Sequence, residues 1–166
     1  MEQKNILLIS GSFYPMNSPR SFRTTNLAKE FSKQGHKVVV YIPNRSTIHD
    51  EFEKEHNIEI KNLGNRSLGI NISKGFEPWL LFKRFLGRLL LFLFNYPSIS
   101  LMFLTKEVLK RETRKFDLLI SVAVPHSIHW GVAWAWRLGY QKSDTWVADC
   151  GDPFVGKTEQ NTIVFV

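Results

Sequence analysis

The chain has 166 residues, and 43% of them are hydrophobic, so the sequence is long and apolar enough to bury the core of a single globular domain. Its single cysteine, Cys150, excludes an intramolecular disulfide framework and a zinc site built from several cysteines, which favours the reducing cytoplasm as its location. The net charge of +7 fits an anionic membrane surface or a phosphorylated small molecule, but we expect no nucleic acid because no nucleic-acid-binding signature accompanies the scattered basic residues.

The amino-terminal part of the chain predicts a βαβ unit. Residues 5–10 form a short apolar run that is followed by Gly11 and Ser12, as a buried strand is followed by a loop. Residues 21–34 then show apolar positions at helical spacing, and Gly35 provides a left-handed stop. Residues 37–42 are a continuous β-branched run, which is typical of a strand covered on both faces.

The middle of the chain is less regular. Residues 49–56 are charged and polar without a clear period, whereas residues 57–62 alternate isoleucine with polar residues and predict a short strand near the sheet edge. Residues 64–75 contain three glycines and several Asn and Ser residues, and so predict a loop.

Residues 78–94 predict an amphipathic helix. Its longest uninterrupted apolar run has six residues, whereas a membrane-spanning helix needs about 20, so we expect no transmembrane segment here. Two interpretations stay open: the helix packs against the sheet with its basic stripe in solvent, or it lies on an anionic membrane surface or a lipid substrate. In the second interpretation the membrane-facing residues are Trp79, Phe82, Lys83, Arg84 and Arg88.

The rest of the chain continues the alternation of helices and strands. The pattern predicts a helix over residues 98–115, a strand over 116–122, a helix over 127–138 and a strand over 145–148. Taken with the βαβ unit, this alternation predicts an α/β fold with a Rossmann-like parallel sheet and helices on both faces. Ligands bind at the carboxyl edge of such a sheet, so we expect the site in the loops that follow the strands.

The first of three polar groups at this edge is the turn after the first strand. Gly11 and Ser12, followed by a helix amino terminus, favour a phosphate or carboxylate bound by backbone amides. Arg20 and Arg23 lie near the start of that helix, and a guanidinium binds anionic oxygens in a fork. Since the sequence has neither the dinucleotide-binding nor the P-loop glycine motif, a tight turn with solvated arginines stays the alternative.

The second group is the pair His126 and His129, which lie three residues apart at the start of a predicted helix and so share one face. Two interpretations stay open: the imidazoles hydrogen-bond a hydroxylated substrate, or they are structural residues of the helix start. We expect no metal ion, because no third His, Cys or carboxylate follows at a suitable spacing.

The third group is Asp149 and Asp152, in the loop after the last predicted strand. Carboxylates at a strand end can bind sugar hydroxyls or act as a base. They also cap turns, and an Asp before a Pro commonly opens one, so a structural role stays the alternative.

Taken in order along the chain, four stretches resemble the amino-terminal half of the family-four glycosyltransferases, which have the GT-B fold. They are residues 7–15, 23–38, 121–129 and 146–154. The last two correspond to family patterns that read roughly Pro-Pro-His-Ser-x-His and Trp-x-x-Asp-x-Arg-Asp-Pro-Trp. Gly151 stands here in place of the Arg of the second pattern, and Phe154 in place of its final Trp.

The resemblance implies a domain that binds the acceptor and faces a second domain that holds a nucleotide-sugar. It also implies transfer with retention of anomeric configuration onto a lipid-linked or surface-polysaccharide acceptor, of the lipopolysaccharide or capsule type, at the cytoplasmic face of the membrane. By motif position, the resemblance puts Gly11 and Ser12 near the donor diphosphate. It puts His126 and His129 near the reacting sugar. Asp149 and Asp152 would lie beside the acceptor. Of these, His126 and Asp152 would be catalytic. The nucleotide-sugar is a substrate, and no cofactor is implied.

Nothing in the sequence corresponds to the donor-binding domain of that family, so we expect residues 1–166 to be a single amino-terminal domain that is inactive alone. The apolar end of the chain is typical of a truncation. Two other interpretations stay open: a noncatalytic membrane-docking subunit that pairs with a separate donor-binding chain, and an unrelated nucleotide-binding Rossmann module. The lack of a glycine fingerprint argues against the Rossmann module.

Overall fold

A computed structural model describes residues 2–64, 99–123 and 125–150 of the chain. These residues form five strands and four helices. In chain order the elements are β1 (Asn5–Ser10), α1 (Pro19–Lys33), β2 (Lys37–Pro43), α2 (Ile48–His56), β3 (Ile58–Gly64), α3 (Ser100–Arg111), β4 (Phe116–Val122), α4 (Ser127–Arg137) and β5 (Ser143–Asp149).

The five strands form one parallel sheet in the order β3-β2-β1-β4-β5. The sheet and the helices on its two faces confirm the predicted α/β, Rossmann-like fold, and β3 lies at the predicted edge position. Strands β2 and β3 follow β1 on one side of it in the sheet, and β4 and β5 then follow on its other side. Because the strand order reverses between β1 and β4, the topology favours a crevice at the carboxyl edge there.

Each face of the sheet buries its own apolar cluster. Side chains of β1 alternate between the faces, so Ile6 and Leu8 belong to one cluster while Leu7 and Ile9 belong to the other. The first cluster includes Ala28 of α1 and Phe52 of α2; the second includes residues of α3 and α4. Burial on both faces explains why the central strands are continuous apolar runs.

Helices α3 and α4 pack closely against each other at Gly131. A Cβ atom at this position would lie 2.6 Å from Thr105 Cβ and 2.7 Å from the Met102 carbonyl oxygen. Only glycine allows this approach, because both distances are shorter than a real Cβ contact. The glycine therefore fixes the position of α4, the helix that carries His129.

Several element bounds differ from the sequence expectations. Helix α1 begins at Pro19, two residues early, because Ser18 acts as the N-cap and accepts a hydrogen bond from the Ser21 amide at 3.2 Å. The expected end of α3 at residue 115 was wrong. Helix α3 ends at Arg111 because Glu112 adopts an extended backbone and binds other elements. Strand β5 is longer than expected and covers Ser143–Asp149.

Helix α2 was missed in the polar segment at residues 49–56. Its buried face consists of Phe52 and His49 alone, which is too few positions to produce a helical period. Tertiary contacts hold this helix in place. The ring of Phe52 stacks on Tyr14 at 4.9 Å between centroids, and His49 Nε2 lies 2.8 Å from the Tyr14 carbonyl oxygen. Here packing decides the structure, as it often does for weakly patterned helices.

Several predictions fall outside the described residues. These are the loop after Gly64, the helix over residues 78–94 and its membrane-facing residues, and the segment that contains Asp152. The membrane-facing residues are Trp79, Phe82, Lys83, Arg84 and Arg88. Among the helices of the described ranges, none is both long enough and apolar enough to span a bilayer.

Candidate functional site

The carboxyl ends of three strands lie side by side. Ser10 of β1 pairs in register with Val122 of β4, and Val122 pairs with Asp149 of β5. The Ala123 amide donates a hydrogen bond of 2.9 Å to the Asp149 carbonyl oxygen, which extends the alignment past the strands. The carboxyl ends of β1, β4 and β5 therefore lie at one edge, as the sequence predicted.

The turn after β1 is held by its own hydroxyl groups. Ser10 Oγ accepts a hydrogen bond from the Ser12 amide at 3.2 Å and lies 3.0 Å from Thr24 Oγ1 of α1. Gly11 and Ser12 are both buried. The Ser12 amide is thus already used inside the turn, so this amide is not available in the described arrangement for the anion that the sequence predicted.

The two arginines of α1 have different environments. Arg20 is exposed, whereas Arg23 Nε lies 2.9 Å from Asp149 Oδ2. The side chain of Arg23 is 50% exposed and that of Asp149 only 17%. This ion pair links α1 to the end of β5 and holds the Asp149 carboxylate at the edge of the crevice.

The two histidines lie together at the start of α4, with ring centroids 6.0 Å apart. His126 is half-buried and His129 is buried. His129 Nδ1 lies 2.7 Å from Ser121 Oγ, and the indole nitrogen of Trp146 donates to the same oxygen at 2.8 Å. Ser121 and Trp146 lie on neighbouring strands, β4 and β5, so the sheet itself fixes the His129 ring.

Electrostatics keep His129 neutral near pH 7. Burial lowers the pKa of His129 below its ordinary value of 6.5, and the neighbouring His126 lowers it further. The Asp149 carboxylate opposes this shift without reversing it. A neutral imidazole has one donor and one acceptor nitrogen, so it can bind a hydroxyl group or a metal ion.

Cys150 also belongs to this group, although the sequence spacing did not reveal it. Its Sγ lies 3.7 Å from His129 Nε2, and one ligand atom from each of His126, His129 and Cys150 lies within 4.8 Å of the others. The spacing along the sequence indicated no third ligand, whereas the fold brings Cys150 next to the two histidines. The available signal was positional: Cys150 directly follows β5, and adjacent parallel strands end at the same edge.

The structure thus brings together most of the predicted site residues that it describes. His126, His129 and Asp149 lie at the same carboxyl edge of the sheet, and Arg23 of α1 pairs with Asp149. Gly11 and Ser12 follow the strand next to β4. Asp152 lies outside the described residues.

No family model matches the chain, and no curated protein sequence matches it either. Among solved structures, the C-terminal domain of a hydrogenase from Pyrococcus furiosus is similar, with 14% sequence identity and a TM-score of 0.49. The alignment covers 90% of this chain and 95% of that one. Similarity at this level carries no information on function.

Proposed function

We propose that the chain is the amino-terminal, acceptor-binding half of a retaining glycosyltransferase of the GT-B type. It would act with a second, donor-binding domain to move a sugar from a nucleotide-sugar to a lipid-linked or surface-polysaccharide acceptor. The observation that carries the proposal is the register of Ser10, Val122 and Asp149, which supports a shared crevice for the three motifs of the sequence resemblance.

The chemistry of the described residues fits a ligand rich in hydroxyl groups. Neutral His129 offers a hydrogen bond to a sugar hydroxyl, and the Asp149 carboxylate accepts hydrogen bonds from two such groups. Arg23 holds that carboxylate in place through the 2.9 Å ion pair. In this proposal His126 faces the reacting sugar as a catalytic residue, and Asp152 is its counterpart on the acceptor side.

The remaining assignments follow from the same resemblance. Gly11 and Ser12 lie near the donor diphosphate, which the second domain binds on its opposite side. The net charge of +7 supports a position at the anionic inner face of the membrane, where a lipid-linked acceptor is found. The contact with lipid is assigned to Trp79, Phe82, Lys83, Arg84 and Arg88.

The proposal is tested by acceptor binding, because this half does not need the donor domain to bind its acceptor. The isotopically labelled chain is titrated with a short-chain polyprenyl-diphosphate-linked N-acetylhexosamine, and the imidazole resonances are followed by NMR. We expect the signals of His126 and His129 to shift, and the His126→Ala variant to bind more weakly. His36→Ala is the matched control. The His36 ring contacts the Lys4 amide, and Lys4 precedes β1, so His36 lies at the opposite, amino edge of the sheet.

Two results would count against the proposal. One is an unchanged imidazole spectrum at millimolar glycolipid, and the other is tight binding of a nicotinamide dinucleotide in the same crevice. A sugar-transfer assay adds a second readout: the chain alone should not turn over any nucleotide-sugar. Normal turnover by the chain alone would contradict its role as half of a site.

A further inference from the structure

Three different ligand atoms converge at the carboxyl edge of the sheet. The thiol of Cys150 and the imidazoles of His126 and His129 come from two separate segments, the loop after β5 and the start of α4. All three ligand atoms lie within 4.8 Å of one another. Cysteine and histidine together are the ligand set that zinc and other borderline-soft transition metals prefer.

The distances fit a tetrahedral ion. Bonds of about 2.3 Å to sulfur and about 2.0 Å to nitrogen place the two ligand atoms about 3.5 Å apart around Zn²⁺. Cys150 Sγ and His129 Nε2 are 3.7 Å apart, so this pair needs almost no movement. The His126 nitrogen must approach by at most about 1.5 Å, which a small rotation of a half-buried side chain at a helix start can provide.

The groups behind His129 are arranged as they are around bound metals. A metal-ligating histidine usually donates its second ring N–H to an oxygen acceptor, which fixes both the tautomer and the ring plane. Here Ser121 Oγ lies 2.7 Å from Nδ1 and can accept from both His129 and Trp146. A proton on Nδ1 would leave a lone pair on Nε2, the nitrogen that lies 3.7 Å from Cys150 Sγ.

A tetrahedral zinc ion takes a fourth ligand besides these three. Asp149 is held by Arg23 at 2.9 Å, so its carboxylate can remain outside the coordination sphere and balance the local charge. Three protein ligands and one open position are typical of zinc sites at which water or a substrate group completes the tetrahedron. Cys150 is exposed, which gives an ion access from solvent.

We propose that His126, His129 and Cys150 form a binding site for one Zn²⁺ ion. The site does not depend on the proposed sugar transfer, because its three ligands are defined by geometry alone. The two functions would compete, since an ion bound to both imidazoles occupies the nitrogen atoms that a sugar hydroxyl would use.

Cobalt is the first probe, because Co²⁺ reports its own coordination. The chain, without a polyhistidine tag, is titrated with Co²⁺, and the absorption spectrum is recorded. We expect one ion per chain, intense bands in the visible region typical of tetrahedral coordination, and a thiolate-to-metal charge-transfer band. Zn²⁺ should displace the cobalt, and its affinity is then measured by competition calorimetry.

Single substitutions assign the ligands. Cys150→Ser should remove the charge-transfer band, while His126→Ala and His129→Ala should each weaken Zn²⁺ binding at least about tenfold. Ser121→Ala removes the acceptor behind His129 and should weaken binding about 10 to 100-fold while the charge-transfer band remains. His56→Ala is the control, since His56 lies at the end of α2 and should leave the affinity unchanged.

Circular dichroism of each variant checks that the fold is intact, and a Zn²⁺-dependent rise in melting temperature gives an independent readout. The rise should occur in the wild type and be lost in Cys150→Ser. The proposal is overturned if Cys150→Ser keeps the wild-type cobalt spectrum and affinity, or if the folded wild-type chain binds no Co²⁺ or Zn²⁺ at millimolar concentration.

Discussion

Two groups of polar residues in this fold use opposite strategies. The Glu112 cluster consists of Tyr41, Glu59, Lys61, Glu112 and Arg114. The carboxyl-edge cluster consists of Arg23, Ser121, His126, His129, Trp146, Asp149 and Cys150. In the first, a buried carboxylate is surrounded by donors; in the second, two imidazoles and a thiol lie close together beside the Arg23–Asp149 ion pair.

Glu112 shows how a buried charge is fully satisfied. Its side chain is only 4% exposed, and it accepts hydrogen bonds from the Tyr41 hydroxyl at 2.7 Å and from Arg114 Nε at 3.1 Å. Burial by itself would raise the pKa of Glu112, but the hydrogen bonds from Arg114 and Tyr41 hold it well below the usual range. Burial, followed by the same carboxylate, raises the pKa of Tyr41.

The carboxyl-edge cluster is more open to solvent. The contact between Cys150 and His129 is 3.7 Å, longer than a normal hydrogen bond between first-row atoms, and Cys150 is exposed. Burial of polar residues therefore does not by itself identify a site. A group that is complete within the fold stabilises the fold, whereas converging donors and acceptors at an open edge favour a ligand.

The largest expected effect is in the Glu112 cluster. Glu112→Gln keeps the shape of the side chain but removes the charge that binds Tyr41 and Arg114. We expect a loss of about 2–3 kcal/mol in the free energy of unfolding. This is less than the loss on breaking a fully buried ion pair, because the Arg114 side chain is 40% exposed. Urea denaturation measures this, with an unchanged m-value as evidence that the denatured state is the same.

Asp50→Asn is the matched control for that substitution. Asp50 pairs with Arg45 at 2.7 Å, but its side chain is 47% exposed. Solvated pairs contribute about 0.2–1 kcal/mol, so this variant should lie close to the wild type. Equal losses in the two variants would show that the Glu112 cluster is no more than a surface ion pair.

Acid should remove the same stabilisation. The pKa of Glu112 is lower in the folded state than its ordinary value of 4.5, so the unfolded state binds the proton more readily. The contribution of Glu112 is therefore complete above about pH 4.5 and is lost as the pH falls below it. The difference in unfolding free energy between wild type and Glu112→Gln, measured by urea titration from pH 7 to about 3, should shrink over that interval. A difference that stays constant to the lowest pH would mean that the carboxylate does not carry the effect.

The sheet was predictable from sequence because β1, β2 and β4 are continuous apolar runs, and burial on both faces leaves this direct signature. The contacts within the two polar clusters were not predictable. Tyr41 and Glu112 are 71 residues apart, and His129 and Cys150 are 21 apart. Such pairs depend on strand order and register, which local periodicity does not encode. Local periodicity also failed to indicate α2, because only His49 and Phe52 of this helix are buried.

A smaller effect is expected where α4 meets α3. Gly131→Ala places a methyl group against Thr105 and the Met102 carbonyl oxygen, so the helices must separate. Overpacking of this kind costs about 1–3 kcal/mol. Because α4 carries His129, the imidazole resonances should also shift, whereas Glu112→Gln should leave them unchanged.

The control for this substitution is Ala133→Ser, at an exposed position of the same helix. It should change stability by about 0.5 kcal/mol or less and leave the imidazole signals in place. If Gly131→Ala lowered stability without moving those signals, the carboxyl-edge cluster would not depend on the packing of α3 against α4.

The smallest effect is expected at the ion pair of the carboxyl-edge cluster. Arg23→Gln removes the partner of Asp149, but the Arg23 side chain is 50% exposed, so the loss should be about 0.5 kcal/mol or less. A double-mutant cycle with Asp149→Asn, read by urea denaturation, isolates the pairwise energy from other effects of each change. The corresponding cycle of Glu112→Gln with Arg114→Gln should give a clearly larger coupling, because the Glu112 carboxylate is almost completely buried. Comparable couplings in the two cycles would make the Arg23–Asp149 pair structural, and Asp149 could then no longer be treated as a carboxylate held in place for a ligand.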